Sequence, residues 1–259
     1  MTINFSKYQG TGNDFVMIDG REREIALSKE QVSKLCDRKF GIGADGIIIL
    51  KNKDGYDFEM DYINRDGSRS MCGNGGRCAV QFARQLGIQK QEYHFWAIDG
   101  EHIAAIDHET RWINLKMNDV ESVKNAGNDF ILDTGSPHYV RIVEEDLRQY
   151  KVFDEGRSIR YSDAVAPEGA NVNFVKVISD NAIFVRTYER GVEDETLSCG
   201  TGVTAAALTF QPHTKGFSRV YVETLGGSLA IEFVKSDNRF TNIRLCGPAE
   251  CVFNGTINV

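Results

Sequence analysis

Two segments of this chain answer each other: Met71-Cys72-Gly73-Asn74-Gly75-Gly76-Arg77-Cys78 in the first third and Ser198-Cys199-Gly200-Thr201-Gly202-Val203-Thr204-Ala205 near the end. Each sets a cysteine before a Gly-x-Gly turn that opens an apolar helical run. The spacing repeats beyond them, because Cys72 is followed 28 residues later by Gly100 and Cys199 is followed 28 residues later by Gly227. Both glycines fall in predicted hairpin turns between strand-like runs. Upstream, Tyr62-Ile63-Asn64 ends eight residues before the first cysteine, and Tyr188-Glu189-Arg190 ends nine before the second. The pattern reads as two diverged copies of one unit. A chain of 259 residues is long enough for two domains of about 100 to 150 residues, each with its own core.

Short strands alternate with a few helices. Residues 4–8 and 15–19 read as strands around a Gly10-Thr11-Gly12-Asn13-Asp14 loop. Ser28-Lys29-Glu30-Gln31 is a capping-box pattern predicting a helix that carries Val32, Leu35 and Cys36 on one face and ends near Gly41. Residues 47–50 and 56–63 are β-like. Cys78, Phe82 and Leu86 recur at helical spacing until Gly87 stops the run. The matching run, 203–210, is apolar nearly all round and is followed by Pro212, which predicts a deeply buried helix. Strands are predicted again at 220–222, 229–234, 242–245 and 250–253. The fold class is therefore α+β: two pseudo-symmetric domains, each a mixed β-sheet or barrel-like roll around a central buried helix.

A net charge of −7 gives no basic stripe to grip a phosphate backbone, so nucleic acid is not an expected partner. No apolar stretch approaches the roughly 18 residues that span a membrane, and the N-terminus lacks a signal-peptide core. The expected setting is the cytoplasm, where the six cysteines would be mostly thiols.

A thiol at a helix N-terminus lies beside free N–H groups and the positive end of the dipole, which favour the thiolate and make it a usable base or nucleophile. A lone cysteine before a tight turn is ordinarily a small buried residue; two at matched helix starts point to a pair of thiols acting on one substrate. The amides around Gly73-Asn74 and Gly200-Thr201 are suited to a carboxylate that gathers charge. Cys36, Cys78, Cys246 and Cys251 read as core filler. Their spacings do not supply the clustered pairs a zinc site needs, so no metal is expected. His138, after Ser136-Pro137, reads either as a polar loop group or as an active-site donor. Glu189-Arg190 reads as a surface ion pair or as a clamp, since Arg pairs a carboxylate and Glu accepts from an ammonium. Glu193-Asp194-Glu195 reads as a solvated face or as helix-start charges. Asn13 and Asn64 lie in Gly/Asp-rich turns that favour asparagine on their own account.

At these residues the chain resembles the diaminopimelate epimerase family. The resemblance runs from Lys7 to Gly255 and is carried by Gly12-Asn13-Asp14-Phe15, Asn64-x-Asp66-Gly67-Ser68, Met71-Cys72-Gly73-Asn74-Gly75-x-Arg77-Cys78, Gly135-x-Pro137-His138, Gly169-x-Asn171-Val172-x-Phe174, Glu189-Arg190-Gly191 and Cys199-Gly200-Thr201-Gly202. It implies an epimerase without cofactor that interconverts LL- and meso-2,6-diaminopimelate, the step before lysine and, in many bacteria, before the peptidoglycan cross-link. It also implies a homodimer whose chains each enclose the site with two domains, 1–117 with about 247–259 and 118–246. By resemblance Cys72 and Cys199 are the acid–base pair, Asn64, Asn171 and Arg190 hold the distal amino-acid end, and Asn13 lines the site. Glu189 with His138 would orient the reacting ammonium and tune the thiols.

Three positions depart from the family pattern. Ser136 stands where asparagine is usual, so one substrate contact is shortened or replaced by water. The 189–196 loop is one residue longer than Glu-Arg-Gly-x-Gly-Glu-Thr, and Gln9 replaces a common histidine. Two alternatives stay open. A proline racemase or hydroxyproline epimerase of the same two-cysteine superfamily would carry histidine at Asn74 and lack the Glu-Arg-Gly clamp. A thiol–disulfide redox or binding protein would toggle Cys72 and Cys199 without turnover.

Overall fold

The computed structural model describes residues 1–210 and 215–259. It divides into two compact units, one of Met1–Leu115 with Gly247–Val259 and the other of Lys116–Cys246. Pro212, read above as following the second buried helix, lies outside the described residues.

In the first unit β1 (Thr2–Gly10) folds back on β2 (Asn13–Asp19), with Gly10 opposite Asn13. The predicted five-residue loop is thus a two-residue turn through Thr11 and Gly12, whose φ values of 52° and 85° match the turn twist to the strands. Asn13 is therefore the first residue of a strand. Helix α1 (Lys29–Cys36) opens on the predicted capping box: the Gln31 N–H donates to Ser28 Oγ at 3.3 Å, and the Ser28 N–H donates to Gln31 Oε1 at 2.8 Å. It stops at Cys36, earlier than predicted. Asp37 turns to an extended conformation and its carboxylate accepts from the Lys39 and Phe40 amides, offering the chain a local alternative to another helical turn. Strands β3 (Gly46–Lys51) and β4 (Phe58–Asn64) follow, then α2 (Gly73–Gln85), β5 (Glu92–Ala97), β6 (Gly100–Ile106) and β7 (Ile113–Lys116).

The second unit runs β8 (Lys124–Ala126), β9 (Asp129–Asp133), β10 (Pro137–Ile142), α3 (Val152–Arg160), β11 (Asn171–Ser179), β12 (Ala182–Glu189), β13 (Asp194–Thr196), α4 (Gly200–Phe210), β14 (Gly216–Thr224), β15 (Gly227–Ser236) and β16 (Arg239–Gly247). The sequence pattern gave no sign of α3. Its central Gly156 is a poor helix former, but a Cβ there would stand 2.4 Å from Tyr188 Cβ, so the glycine lets α3 lie directly on β12. The last strand, β17 (Glu250–Asn258), pairs antiparallel with β1 from Thr2 opposite Asn258 to Gln9 opposite Glu250.

The duplication is legible in the pairing. From β17 through β1, β2, β3, β4, β5 and β6 to β7, successive pairs are antiparallel, antiparallel, parallel, antiparallel, parallel, antiparallel and antiparallel. From β8 through β9, β10, β11, β12, β14 and β15 to β16, the same succession recurs. Every parallel pair needs a crossover, and α1, α2, α3 and α4 supply the four. Gly100 and Gly227 each close a two-residue hairpin at φ 125° and 136°, as their matched spacing predicts.

Each sheet curls about one helix. Helix α2 packs against β1 to β4 and β17, and α4 packs against β9 to β12, β14 and β15. In α4, Val203, Ala205, Ala206, Ala207 and Leu208 are fully buried, within a core that includes Val140, Val175, Ile231 and Leu245. The α+β class with a mixed sheet around a central helix describes both units. Close packing at strand ends fixes where site residues stand. Gly46 faces Asn64 across β3 and β4, and a Cβ on it would lie 2.6 Å from the Ile63 carbonyl and 2.5 Å from the Tyr62 ring. Gly46→Ala is expected to cost about 1–3 kcal/mol by overpacking, read from chemical denaturation; a loss under about 0.5 kcal/mol would show that the β4 end can shift.

Candidate active site

The two predicted thiols occupy equivalent places. The Cys72 carbonyl accepts the first intrahelical bond of α2 from Gly76 at 2.8 Å, and the Cys199 carbonyl accepts that of α4 from Val203 at 2.9 Å. Each is therefore the cap residue of its helix, with the amides of the first turn on its C-terminal side. Cys72 is extended (φ −140°, ψ 121°) and its side chain does not cap the helix, which leaves the sulfur for other work. Neither helix has an acidic residue in its first turn to neutralise the dipole.

In the first unit a chain of donors orients the group beside Cys72. Arg77 is fully buried and can only donate; its Nη1 lies 3.0 Å from Asn74 Oδ1 and its Nη2 3.2 Å from Thr11 Oγ1. Asn74 must then turn its Nδ2 outward, where it lies 3.5 Å from Asn13 Oδ1. From the other side, Asn13 Nδ2 donates to Asp45 Oδ2 at 2.5 Å. The oxygen of Asn13 is thus left to accept from the Cys72 thiol at 3.3 Å. Asp45 is held in turn by Arg38 at 2.9 Å, and Arg38 with Lys7 clamps Asp14 at 2.7 and 2.6 Å. Burial alone would raise the Asp14 carboxyl, but hydrogen bonds from Arg38 and Lys7 hold it below the ordinary carboxylate range. Asn64 stands at the end of β4, where its Nδ2 donates to Ser68 and Ser70 and secures the turn after it.

In the second unit Cys199 Sγ lies 3.5 Å from Thr201 Oγ1, and the Thr134 hydroxyl donates to the Thr201 carbonyl at 3.0 Å. His138, near the start of β10, is completely buried. Burial, with the Arg190 charge adding to it, pushes its imidazole down to about 3, so it is neutral at physiological pH. Beside it in the β10–β11 pair stands Asn171, whose Nδ2 donates to Ser136 Oγ at 2.9 Å and whose Oδ1 accepts from the Arg190 amide at 2.9 Å. Asn171 thereby ties β10 to the Glu189-Arg190 turn, and Ser136, the departure from the family pattern, is one of its anchors. The Glu189 carboxylate accepts from the Thr196 hydroxyl at 2.9 Å.

The longer loop is braced by its own carboxylates. Arg190 to Glu193 connect β12 to β13, with Glu193 at φ 57°. The Glu193 carboxylate accepts from the Gly191 amide, Arg160, Tyr161 and Tyr188. Glu195 pairs Arg186 through both oxygens at 2.6 Å. The Glu193-Asp194-Glu195 run is therefore not a solvated face; two of its three carboxylates brace the loop that carries Glu189 and Arg190.

The other cysteines separate into two kinds. Cys36 and Cys78 are buried, and burial raises their thiols to about 11 and about 12, which keeps them protonated and inert. Cys246 is buried as well, whereas Cys251 is exposed on β17, none of whose residues is buried, and is not core filler. Sequence reasoning missed Asp45, Arg38 and Asn173. Asn173 left a signal: an amide amid the apolar strand residues Val172, Phe174 and Val175, all fully buried, must find internal partners.

Comparison with known proteins gives the family. The family model for diaminopimelate epimerase matches residues 5–123 and 130–252. The diaminopimelate epimerase of Flavobacterium psychrophilum is 50% identical over 97% of this chain and 98% of its own, and that of Chlorobaculum tepidum is 43% identical over 96% and 99%. Among solved structures, a PhzF-family phenazine biosynthesis protein of Bacillus anthracis superposes with a TM-score of 0.79 at 13% identity over all of both chains. A hydroxyproline epimerase of Agrobacterium vitis does so at 0.67 and 13%, covering 99% of this chain and 92% of its own. These two likenesses concern the fold alone.

The ion cluster behind Asn13 makes a measurable prediction. Asp14→Asn leaves the buried Lys7 ammonium without its carboxylate and should cost about 3 kcal/mol at neutral pH. Because the folded carboxyl titrates below its unfolded value, its contribution is full above about pH 5 and fades as pH falls through the folded value. Stability differences between the two proteins should be largest near pH 7 and vanish only as pH falls through the folded Asp14 carboxyl's lowered value; a gap independent of pH would show that the ionised carboxylate is not the cause.

Proposed function

Because the chain belongs to the diaminopimelate epimerase family, we propose that it interconverts LL- and meso-2,6-diaminopimelate with Cys72 and Cys199 as the acid–base pair. It is an isomerase acting in lysine biosynthesis, and in organisms that cross-link peptidoglycan through meso-diaminopimelate it would also serve that pathway. The observation that carries the two-thiol reading is the repetition: two cysteines capping the two equivalent buried helices of a duplicated fold, with the same first helical bond.

Inversion at carbon needs a base on one face and an acid on the other. One cysteine acts as thiolate and takes the α-proton; the electron pair left on carbon is delocalised into the adjacent carboxylate. The other acts as thiol and returns a proton to the opposite face, so the two exchange protonation states and the roles swap with direction. An unperturbed thiol, with a pKa near about 8.5, is mostly protonated at neutral pH, so two coupled thiols sharing one proton supply the working state. The amides of Gly73 and Asn74 and of Gly200 and Thr201 suit the carboxylate that gathers charge. Glu189 suits the reacting ammonium. Arg190 suits the distal carboxylate, with Asn64 Oδ1 accepting from the distal ammonium and Asn13, Ser136 and Asn171 shaping and bracing the site. Among the described residues no helix is long and apolar enough to cross a membrane; we place the enzyme in the cytoplasm as a homodimer, in keeping with the resemblance.

The test is incubation of the freshly reduced protein with LL-diaminopimelate in D2O without added cofactor, with L-proline and trans-4-hydroxy-L-proline in parallel. Meso product carrying deuterium at the α-carbon is expected from diaminopimelate alone. Cys72→Ala and Cys199→Ala should each lower turnover by on the order of 10³-fold or more without loss of fold. Exchange confined to the prolines would change the substrate, and full activity in either variant would overturn the two-base assignment.

A further inference from the structure

His138 has two ring nitrogens, and the residues around it decide which carries the proton. The decision starts from a backbone carbonyl, which can only accept. The Tyr139 carbonyl lies 3.1 Å from one end of the Asn173 amide, so that end is the NH2 group. The same nitrogen lies 3.1 Å from His138 Nδ1. Its two hydrogens therefore serve Tyr139 and His138, and Nδ1 accepts. The opposite end, Oδ1, receives the Thr187 hydroxyl at 2.9 Å, which closes the arrangement against a flip of the amide. All three side chains are buried. With Nδ1 bare and the ring neutral, the proton sits on Nε2, and Nε2 is a buried atom without a hydrogen-bond partner among the described residues. A buried donor left so is costly unless a ligand receives it.

The network adjoins the N-terminal turn of α4. A Cβ on Gly202 would stand 2.3 Å from Asn173 Oδ1 and 3.3 Å from Cys199 Cβ. The missing side chain at Gly202 is the space that Asn173 occupies, one turn from the thiol.

We infer that Asn173, held by the Tyr139 carbonyl and the Thr187 hydroxyl, is a positioning residue that locks His138 as the Nε2–H tautomer, so that His138 meets the substrate as a hydrogen-bond donor and not as a base. An N–H cannot accept from an ammonium, so the reacting ammonium falls to Glu189 and His138 serves an anionic acceptor, such as the substrate carboxylate as it gathers charge. This division of roles rests on the epimerase reading, whereas the tautomer itself does not.

The test reads the two separately. Long-range proton–nitrogen spectra of the full chain labelled with 15N-histidine, with His138 assigned through His138→Gln, are expected to show a bare Nδ1 and a protonated Nε2 at neutral pH. Thr187→Val frees the Asn173 amide, and Asn173→Ala removes it. Both should yield mixed tautomers and lower kcat by roughly 10–100-fold, as loss of a partner that orients an active-site imidazole does, with KM changed by less than about threefold. Thr187→Ser, which keeps the hydroxyl, should restore both the spectrum and kcat. A proton on Nδ1, or an imidazolium at neutral pH, in the unaltered protein would overturn the inference whether or not the protein epimerises diaminopimelate. So would variants that lose kcat with the Nε2–H signature intact, since that would mark Asn173 as merely structural.

Discussion

A helix buried on every side can be reached only at its ends, and that constraint organises this protein. Helix α4 is surrounded by strands along its length, and α2 nearly so, so the unpaired amides of each first turn are the natural contacts with anything outside. The glycines of each first turn admit close neighbours, and the absence of acidic residues there leaves the positive ends of the dipoles without a carboxylate of their own helix. A cysteine at each cap places a titratable sulfur at the one point of the helix where negative charge is favoured. Cys36 and Cys78, carried on helices but away from their N-termini, have thiols raised by burial.

Each unit orients a side-chain amide beside a titratable group, Asn13 at the Cys72 thiol and Asn173 at the His138 ring, with different materials. In the first, charge does it: Arg77 fixes Asn74, and the Lys7, Asp14, Arg38 and Asp45 cluster fixes Asn13. In the second the network around Asn173 is neutral, anchored on a backbone carbonyl and a hydroxyl. A charged anchor ties Asn13 and Cys72 to pH, since it fails when Asp14 is protonated. A neutral anchor does not titrate, which suits a group set beside a histidine whose protonation state has to stay fixed.

Much of the fold and of the candidate site was legible in the sequence because it lies in contiguous motifs: the two cysteines at their helix starts, the Ser28 capping box and the hairpin glycines at 100 and 227 all act on neighbours in the chain. What was not legible depends on residues far apart. Helix α3 has a glycine at its centre and is explained only by the Tyr188 side chain beneath it. Asp45 earns its place through Asn13, 32 residues away. Asn173 signalled only that it needs internal partners, and Thr187 was silent, because which partners they find depends on strands far apart in the chain; Cys251 looked like core because its strand reads as apolar, yet none of that strand's residues is buried.

The sequence by itself determined the α+β class, the duplication and the two thiols, because each follows from periodicity, spacing and residue type along a continuous stretch. Only the tertiary structure decided the repeated succession of parallel and antiparallel pairs, the register of β17 on β1 and the proton position on His138. Those depend on which carbonyl, carboxylate or hydroxyl the fold brings within about 3 Å of an amide, and hydrogen bonds of that kind join residues whose separation along the chain carries no pattern.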